Sequence, residues 1–465
     1  MKKKAVILGG GITGLRIASY LQENNFEVTI LEKTPKIGGM TSSFIYKDFI
    51  LDYGPHKFYT QLPGVYDDFK KIIGEVNYLT VKKENSIRLL GNYFDFPVKL
   101  SQLFTMINPI LTIKIGLDLI KEKMNRKEAK NYEEYFIKGF GKTGYKIVFE
   151  GFASKVWGNP KNLSVELARR RSPAKNIFEV LKTALIKGND VSADYFLYPK
   201  LGYGVICENL SKEMTKNGGK IILNAKALNL NLKEKKVSSV DLLINNRTKK
   251  QLPCDVLIST MAINELILLI KEKKLSQEIK DALENIKFRS LIIAYIFLKK
   301  NKALKDNWIF FPEKEFCFNR VAEQKSFSKY TCPKDKTVLT AEITCNFNDE
   351  TYLAPENEIK DKVINDLVKA KLIKREEVYD FIIRKAGRVY PVYDLDYKKN
   401  LNILLNFLDE IPNIYTVGRL GLFNYNNADH CLDMAKVTTQ IIINNKNREE
   451  WKKARNYFDS YRIVD

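Results

Sequence analysis

The chain contains few of the residues that build metal centres and disulfide frameworks. Two of its 465 residues are histidines and six are cysteines. No CxxC pair and no dense cluster occurs among Cys207, Cys254, Cys317, Cys332, Cys345 and Cys431. This spacing is typical of small buried thiols in a reducing compartment. We therefore expect a cytoplasmic protein that has neither a disulfide framework nor a metal site.

Long apolar runs, internal repeats and low-complexity segments are also missing. The longest uncharged apolar segment, residues 100–113, has about 14 residues and includes Pro109, whereas a membrane-spanning helix needs ~20. At the N-terminus the apolar run Ala5–Leu8 is too short for a signal peptide. We predict no transmembrane helix and no export, although residues 100–113 would suit a membrane surface as well as a protein core.

Acidic residues are outnumbered by basic ones. The chain has 77 Lys and Arg against 55 Asp and Glu, for a net charge of +22. The basic residues are scattered and accompany no recognised nucleic-acid module, so a solvated surface is favoured over a nucleic-acid groove. An anionic substrate, or weak peripheral contact with an acidic membrane, fits equally well. The length and the 45% hydrophobic content indicate a folded protein of two or three domains.

The clearest motif is a βαβ unit at the start of the chain. An apolar strand, Lys4–Leu8, leads into a glycine turn, an amphipathic helix to about Gln22, and a second strand, Glu27–Leu31. The turn fits G-x-G-x-x-G, in which the second glycine lets the backbone approach a diphosphate and the third permits close helix–strand packing. An acidic residue directly after the second strand can accept a hydrogen bond from a ribose hydroxyl of the dinucleotide. This pattern predicts dinucleotide binding by Gly9, Gly11, Ile12, Thr13, Gly14, Glu32 and Lys33.

A second glycine pair indicates which dinucleotide is bound. Gly38-Gly39-Met40-Thr41 and Gly54-Pro55-His56 follow Glu32, an arrangement that resembles the FAD-binding extension of the FAD-dependent amine oxidase and protoporphyrinogen oxidase superfamily. The resemblance implies that FAD is the cofactor and that these seven residues contact it.

The stretch VGRLGLFNYNNADH, residues 417–430, resembles the second FAD contact of the same superfamily. Gly418 and Arg419 would contact the cofactor, and a helix beginning near Asn427, Ala428 and Asp429 would direct its positive end at the flavin. The alternative is a helix that is capped by Asp429 and contains a hydrogen-bonded His430.

The fold class we predict is α/β, with a discontinuous sheet. Residues 1–75, 195–265 and 410–446 would form a Rossmann-like FAD-binding domain, because the opening unit lacks strands that segments near 220–260 and 414–417 can supply. Residues 76–100 and 266–409 would form a mixed β substrate-binding domain. Residues 101–194 would be a helical insertion, and 447–465 a charged C-terminal tail.

Several blocks together resemble UDP-galactopyranose mutases, especially their eukaryotic-type branch. They are GRLGLFNYNNADH at 418–430, FNRV at 318–321, NYFDFP at 92–97 and KVWGNP at 155–160. The resemblance implies that His56, Arg171, Arg320 and Arg419 are catalytic, Arg171 being preferred over Arg170 for the flavin edge. It implies substrate binding by Phe96, Trp157, Arg320, Arg419, Tyr425 and Asn426. The alternatives are an ion pair of Arg320 with Glu323 or Glu342, and an ordinary core role for Phe96.

The implied activity is a FAD-dependent mutase that interconverts the pyranose and furanose forms of a UDP-hexose, through a sugar adduct on N5 of the reduced flavin, for cell-surface glycan biosynthesis. NADPH or NADH would be the reductant. Pro55, Val98 and Ala153 differ from the mutase pattern at positions that the pattern assigns to substrate recognition. The resemblance therefore does not identify the sugar or the base of the substrate. The alternatives are a FAD-dependent oxidoreductase of the amine oxidase type and a non-enzymatic nucleotide-binding scaffold.

Overall fold

The computed structural model describes residues 2–96, 102, 106, 108–125, 127–171 and 194–463. Val98, and residues 172–193 of the predicted helical insertion, lie outside the described residues. The helices are α1 Ile12–Glu23, α2 Val65–Ile73, α3 Pro109–Met124, α4 Tyr132–Tyr145, α5 Gly151–Val156, α6 Val165–Arg171, α7 Val205–Lys216, α8 Ile263–Ile267, α9 Gln277–Asn285, α10 Gln324–Phe327, α11 Glu350–Leu353, α12 Glu356–Lys369, α13 Tyr397–Asp409, α14 Gly418–Gly421, α15 Ala428–Ile443 and α16 Arg448–Asp459.

The strands build two larger and three smaller sheets within the described residues. They are β1 Lys4–Leu8, β2 Glu27–Leu31, β3 Ser43–Tyr46, β4 Phe49–Asp52, β5 Tyr78–Lys82, β6 Asn85–Leu89, β7 Asn92–Asp95, β8 Tyr195–Pro199, β9 Lys220–Ile222, β10 Ala225–Lys233, β11 Lys236–Ile244, β12 Thr248–Pro253, β13 Val256–Ser259, β14 Phe288–Leu298, β15 Trp308–Phe310, β16 Arg320–Glu323, β17 Thr337–Asn346, β18 Val378–Pro391 and β19 Ile414–Thr416.

The dinucleotide-binding part is a parallel sheet in the order β19-β13-β1-β2-β9. Successive side chains of a strand point to opposite faces, and both faces are buried here. Ala5 and Ile7 of β1 join one apolar cluster, while Val6 and Leu8 join another. The expected α/β class is confirmed, and the late strands β9, β13 and β19 complete the sheet. Strands β10–β12 instead form a separate antiparallel sheet.

The second large sheet has seven strands in the order β18-β14-β17-β16-β15-β6-β7. Strand β14 lies inside it and is buried along most of its length, which explains its continuous apolar sequence. Strand β16 carries Arg320, and its register places that residue beside Phe310 on one neighbour and Glu342 on the other.

The C-terminal residues do not form the charged tail that the sequence predicts. Residues Arg448–Asp459 are helix α16, on which Trp451 and Phe458 are fully buried in the cluster that covers the parallel sheet. The charges occupy one face of this amphipathic helix, and a count of charges does not distinguish such a helix from a tail.

Candidate functional site

The first glycine loop is shaped by close backbone contacts. A Cβ atom on Gly14 would lie 2.2 Å from the carbonyl oxygen of Gly9, and one on Gly9 would lie 2.3 Å from Thr260 Oγ1. Gly9 also has a positive φ of 107°. In contrast, a Cβ on Gly11 would meet nothing within 4 Å. Gly11 precedes Ile12 and Thr13, the first residues of α1, so this open backbone lies where a helix N-terminus attracts a diphosphate.

Glu32 and the second glycine pair lie against this loop. One Glu32 carboxylate oxygen accepts from the Gly10 N–H (2.8 Å) and the other from the N–H (2.9 Å) and hydroxyl (2.8 Å) of Thr34. The Gly38 N–H donates to the Gly10 carbonyl (2.7 Å), and Thr41 Oγ1 donates back to Gly38 (2.6 Å). Lys33 is exposed, whereas Met40 packs in a core cluster. The two glycine segments therefore form one surface.

The C-terminal segment reaches the same place. A Cβ on Gly418 would lie 3.3 Å from Thr13 Oγ1, so this turn contacts the start of α1. Helix α15 begins at Ala428, and its N-cap is Asn427 rather than Asp429. The N–H of Asn427 donates to His430 Nδ1 (3.1 Å), and the His430 ring stacks on Tyr461 (4.6 Å between centroids). His430 is thus hydrogen-bonded within the fold, as the alternative interpretation held, and Asp429 is not the cap.

Three buried polar atoms around these loops have no hydrogen-bond partner among the described residues. They are His56 Nδ1, Asn426 Oδ1 and Asp429 Oδ1. Buried polar atoms are normally satisfied, so unpaired ones on separate segments indicate a place for a polar ligand. Together with the open backbone at Gly11, they fit a bound dinucleotide that runs from the α1 N-terminus to the α15 N-terminus.

His56 is held beside this surface in its neutral form. Its ring stacks on Tyr203, with 4.8 Å between centroids. Burial, and then the positive charges of Arg320 and Arg419, lower the His56 pKa to about 3. The carboxylate of Asp52, which ends the preceding strand, accepts from Ser43 Oγ (2.5 Å) and the Tyr203 N–H (3.1 Å). This buried network fixes the loop that carries His56.

Arg320 is held by an ion pair. Its Nε donates to Glu342 Oε2 (2.6 Å) and its Nη2 donates to Glu342 Oε1 (2.9 Å), while Glu342 is 2% exposed. The ion pair with Glu342 that the sequence left as an alternative is therefore present. A Cβ on Gly54 would lie 2.5 Å from Glu342 Oε1, so the pair contacts the His56 loop.

Arg419 and Arg171 complete a cluster with Arg320. Both Nε and Nη2 of Arg419 donate to the Asn426 carbonyl (3.1 and 2.6 Å). The guanidinium of Arg171 lies over the rings of Trp157 (5.8 Å) and Tyr425 (6.0 Å). Burial and Glu342 raise the pKa of the Tyr390 hydroxyl, whereas all three arginines lower it. Arg419 lies over the Tyr390 ring (5.8 Å). We call Arg171, Arg320 and Arg419, whose charges all act on the Tyr390 hydroxyl, the arginine cluster.

The neighbouring arginine, Arg170, has a different environment. It donates to Glu166 (2.6 Å) and to the Asn424 side chain, and it lies over the ring of Tyr393. It therefore connects α6 to the C-terminal segment. The structure places Arg171, and not Arg170, against the rings of the candidate site.

A row of aromatic rings lies along the cluster. Each ring contacts the next at 5.2–6.4 Å between centroids, in the order Phe96, Phe310, Phe152, Trp157, Tyr425 and Tyr390. Phe96 packs in a core cluster as well, so it has the contacts of the ordinary core aromatic that we considered. The Tyr425 hydroxyl donates to the Pro391 carbonyl (2.7 Å). Ala153 is fully buried.

Sequence reasoning missed several residues of this site. Glu342 was named there as a partner of Arg320 and not as a site residue, and Tyr390, Phe310 and Phe152 were not singled out. Lys155 was read only as part of a motif, yet its Nζ donates to the carbonyls of Phe311, Glu313 and Phe318 (2.6–2.9 Å), in the segment that leads to Arg320. The sequence offers one signal that Lys155 anchors this segment, namely that a lysine stands within a mostly apolar stretch.

Fold and site together define a dinucleotide-binding α/β protein with a cluster of arginines beside its glycine loops. The model of the NAD(P)-binding Rossmann-like domain matches residues 7–73. The dTDP-fucopyranose mutase of Escherichia coli is 29% identical over 175 residues, which are 36% of this chain and 45% of that protein. A probable UDP-galactopyranose mutase of Klebsiella pneumoniae is 27% identical over 36% of this chain and 44% of its own. The alignments thus span less than half the length of these curated relatives.

Similarity over the whole chain is seen in solved structures. Reduced UDP-galactopyranose mutase superposes with a TM-score of 0.83 and 18% identity, covering 99% of both chains. Putrescine oxidase superposes with a TM-score of 0.64 and 14% identity, covering 96% of this chain and 99% of its own. The chain therefore has the fold that UDP-galactopyranose mutase and putrescine oxidase share, and the named relatives are enzymes.

Proposed function

We propose that this protein is a FAD-dependent sugar-nucleotide mutase that interconverts the pyranose and furanose forms of a nucleoside-diphosphate hexose, UDP-galactose or a relative of it. The observation that carries the proposal is the arginine cluster beside the row of aromatic rings, next to the dinucleotide surface. The partial similarity to two mutases named for pyranose sugars supports the same class.

The cluster suits a diphosphate. Guanidinium groups stay charged at all relevant pH values and bind phosphate oxygens with two parallel hydrogen bonds. Arg320 already holds the Glu342 carboxylate with two such bonds, and Arg419 directs two N–H groups at the single Asn426 carbonyl oxygen. A substrate diphosphate would compete with or add to these acceptors. The aromatic row would hold the base by stacking, with Phe96 at one end of the row and Trp157 within it.

The proposed reaction needs little acid–base chemistry from the protein. Bound FAD, when reduced, would supply the nucleophile for the anomeric carbon, and NADPH or NADH would reduce it beforehand. His56 stays neutral because its pKa is low, so it adds no positive charge to those of Arg320 and Arg419. The arginines would retain the leaving diphosphate close to the sugar, which makes its return an intramolecular step.

The test is a trapping experiment with the reduced holoprotein. Anaerobic incubation with UDP-galactose, UDP-N-acetylgalactosamine or UDP-glucose, followed by cyanoborohydride, should yield a sugar-modified flavin that mass spectrometry detects. The adduct should disappear in Arg320→Ala. Arg375→Ala is the control, because Arg375 is an exposed arginine whose guanidinium donates to the Asn365 side chain on helix α12, outside the arginine cluster.

A flavin-dependent oxidoreductase is the second candidate, and the row of apolar rings is the observation in its favour. A 1-hydroxycarotenoid 3,4-desaturase of Flavobacterium is 26% identical over 34% of this chain. This activity would consume an electron acceptor and would not require Arg320. No adduct with any sugar nucleotide, together with acceptor-dependent turnover in both wild type and Arg320→Ala, would reject the mutase.

A further inference from the structure

Helix α3 presents an apolar stripe to the outside of the protein. Ile110, Ile113, Leu117, Ile120 and Met124 are 62–79% exposed. Their spacing alternates between three and four residues, which places them on one face of the helix. Exposed apolar side chains are ordinary when they are scattered, whereas a contiguous set of this size indicates an interaction site.

The stripe is not the side by which α3 packs on its neighbour. Asp118 accepts a hydrogen bond from the Thr143 N–H of α4 (2.7 Å), and a Cβ on Gly141 would lie 3.3 Å from the Ile115 carbonyl. Leu111, on the same side, packs in the cluster that contains Phe96 and Phe310. Helix α3 therefore has two apolar faces, and one of them is already used.

The exposed charged residues that flank the stripe on helix α3 are lysines. Lys114 and Lys121 are exposed along one edge and Lys123 along the other. The acids of the helix lie elsewhere: Asp118 bonds to α4, and Glu122 is partly buried. Exposed Lys127, Glu128 and Lys130 follow the helix. The surface thus combines a central apolar band with lysine edges.

This combination of an apolar band and lysine edges favours a lipid bilayer over a second copy of the protein as the partner of this surface. In a pair of α3 helices from two copies, the lysines would occupy the positions that flank the apolar seam and would repel one another. A bilayer with anionic headgroups meets both requirements, because it accepts the apolar stripe and attracts the lysines. The helix is about 24 Å long at 1.5 Å per residue. None of the helices in the described residues is long and apolar enough to cross a membrane.

We propose that helix α3 docks the protein on the surface of an anionic lipid bilayer, with the axis in the membrane plane, the apolar stripe in the acyl boundary and the lysines at the headgroups. Docking would bring the Phe96 end of the aromatic row close to the membrane, because Leu111 packs in the cluster of Phe96. The proposal does not depend on the mutase activity.

The first test is flotation of the flavin-loaded protein with vesicles. Vesicles of phosphatidylcholine with phosphatidylglycerol should bind the protein, whereas vesicles of phosphatidylcholine alone should bind it at least ~10-fold more weakly, and salt should weaken the former. Leu117→Glu/Ile120→Glu should abolish binding. Val76→Glu/Leu201→Glu is the matched control, since Val76 and Leu201 are exposed apolar residues outside the stripe (74% and 57%). Lys114→Gln/Lys121→Gln should weaken binding roughly 30-fold.

A second measurement does not require charged substitutions. A Leu117→Trp variant should be quenched by brominated lipids in the anionic vesicles, and a Val76→Trp variant should not. The proposal is overturned if phosphatidylglycerol vesicles bind no better than phosphatidylcholine vesicles, or if the Leu117→Glu/Ile120→Glu protein still floats. It is equally overturned if that variant changes only a concentration-dependent self-association, because the occupant would then be a second copy.

Discussion

The first glycine loop is shaped by steric contact, whereas the arginine cluster is held by charge and hydrogen bonds. At Gly9 and Gly14, backbone and side-chain atoms leave no room for a Cβ. Arg320 and Arg419 instead bind a carboxylate and a carbonyl that a ligand can replace or share. A dinucleotide that stays bound needs a rigid cradle, while a diphosphate that departs and returns needs partners that can exchange. The following substitutions test that difference.

We expect the largest effect from Gly14→Ala. The new Cβ would meet the Gly9 carbonyl at 2.2 Å, so the turn must open, at a cost of roughly 3 kcal/mol of stability and loss of FAD binding. Gly11→Ala is the control, because its Cβ meets nothing within 4 Å. It should keep the melting temperature and lower only the affinity for FAD. Flavin absorbance and thermal unfolding measure both, and equal stability losses in the two variants would contradict the steric account.

We expect the second largest effect on stability and ligand binding from breaking the ion pair between Arg320 and Glu342. Arg320→Ala leaves the buried Glu342 carboxylate without its cation, and we expect a loss of roughly 3 kcal/mol in the free energy of unfolding. Arg320→Ala/Glu342→Gln removes the unpaired charge and should recover most of the stability in urea unfolding, but not the binding of UDP-galactose. Recovery of both in the double variant would show that Arg320 acts only as the partner of Glu342.

Lys155→Met should have an intermediate effect on stability and on substrate binding. Burial lowers the Lys155 pKa to about 8. The substitution removes the Nζ donor from three carbonyls, of which the Glu313 carbonyl keeps the Phe316 N–H (3.3 Å), and this costs roughly 1–3 kcal/mol. The KM for the sugar nucleotide should rise, because the segment before Arg320 loses its anchor. Lys325→Met is the matched control: its Nζ also donates to backbone carbonyls, those of Pro333, Lys334 and Lys336, but not in that segment. It should lower stability in urea without changing the KM.

The smallest effect is a pH dependence at His56. The folded pKa is depressed to about 3 from an unfolded value of about 6.5, so below pH 6.5 the unfolded chain binds a proton that the folded protein does not. This contribution to stability is complete above pH 6.5 and falls by about 1.4 kcal/mol per pH unit on acidification, or about 2 kcal/mol at pH 5. In His56→Asn the difference in unfolding free energy between pH 7 and pH 5 should shrink by that amount. An unchanged difference would place the His56 pKa near its ordinary value.

The βαβ unit could be predicted from the sequence because its contacts are local. Strand β1, the glycine turn, α1 and β2 follow one another, and their apolar spacing and glycines report contacts within about 30 residues. The late strands β9, β13 and β19 could be assigned to the same sheet because the two strands of the opening unit need further strands to form a complete sheet. The helix at 448–459 was missed, since one apolar face among many charges is a weak signal.

The arrangement of the candidate site was decided by the tertiary structure. Its residues come from the loop after β4, the end of β7, α5–α6, β15–β18 and the segment from α14 to the start of α15. No local sequence pattern shows which of these residues contact one another. The sequence indicated the arginines and the dinucleotide loops, because glycines and arginines in those patterns are typical of dinucleotide and diphosphate binding. Only the packed sheets determined that Arg320 binds Glu342, that Arg171 rather than Arg170 faces the rings, and that Asn427 caps α15. Such pairings depend on strand register and on which face of a helix is buried, both of which long-range packing sets.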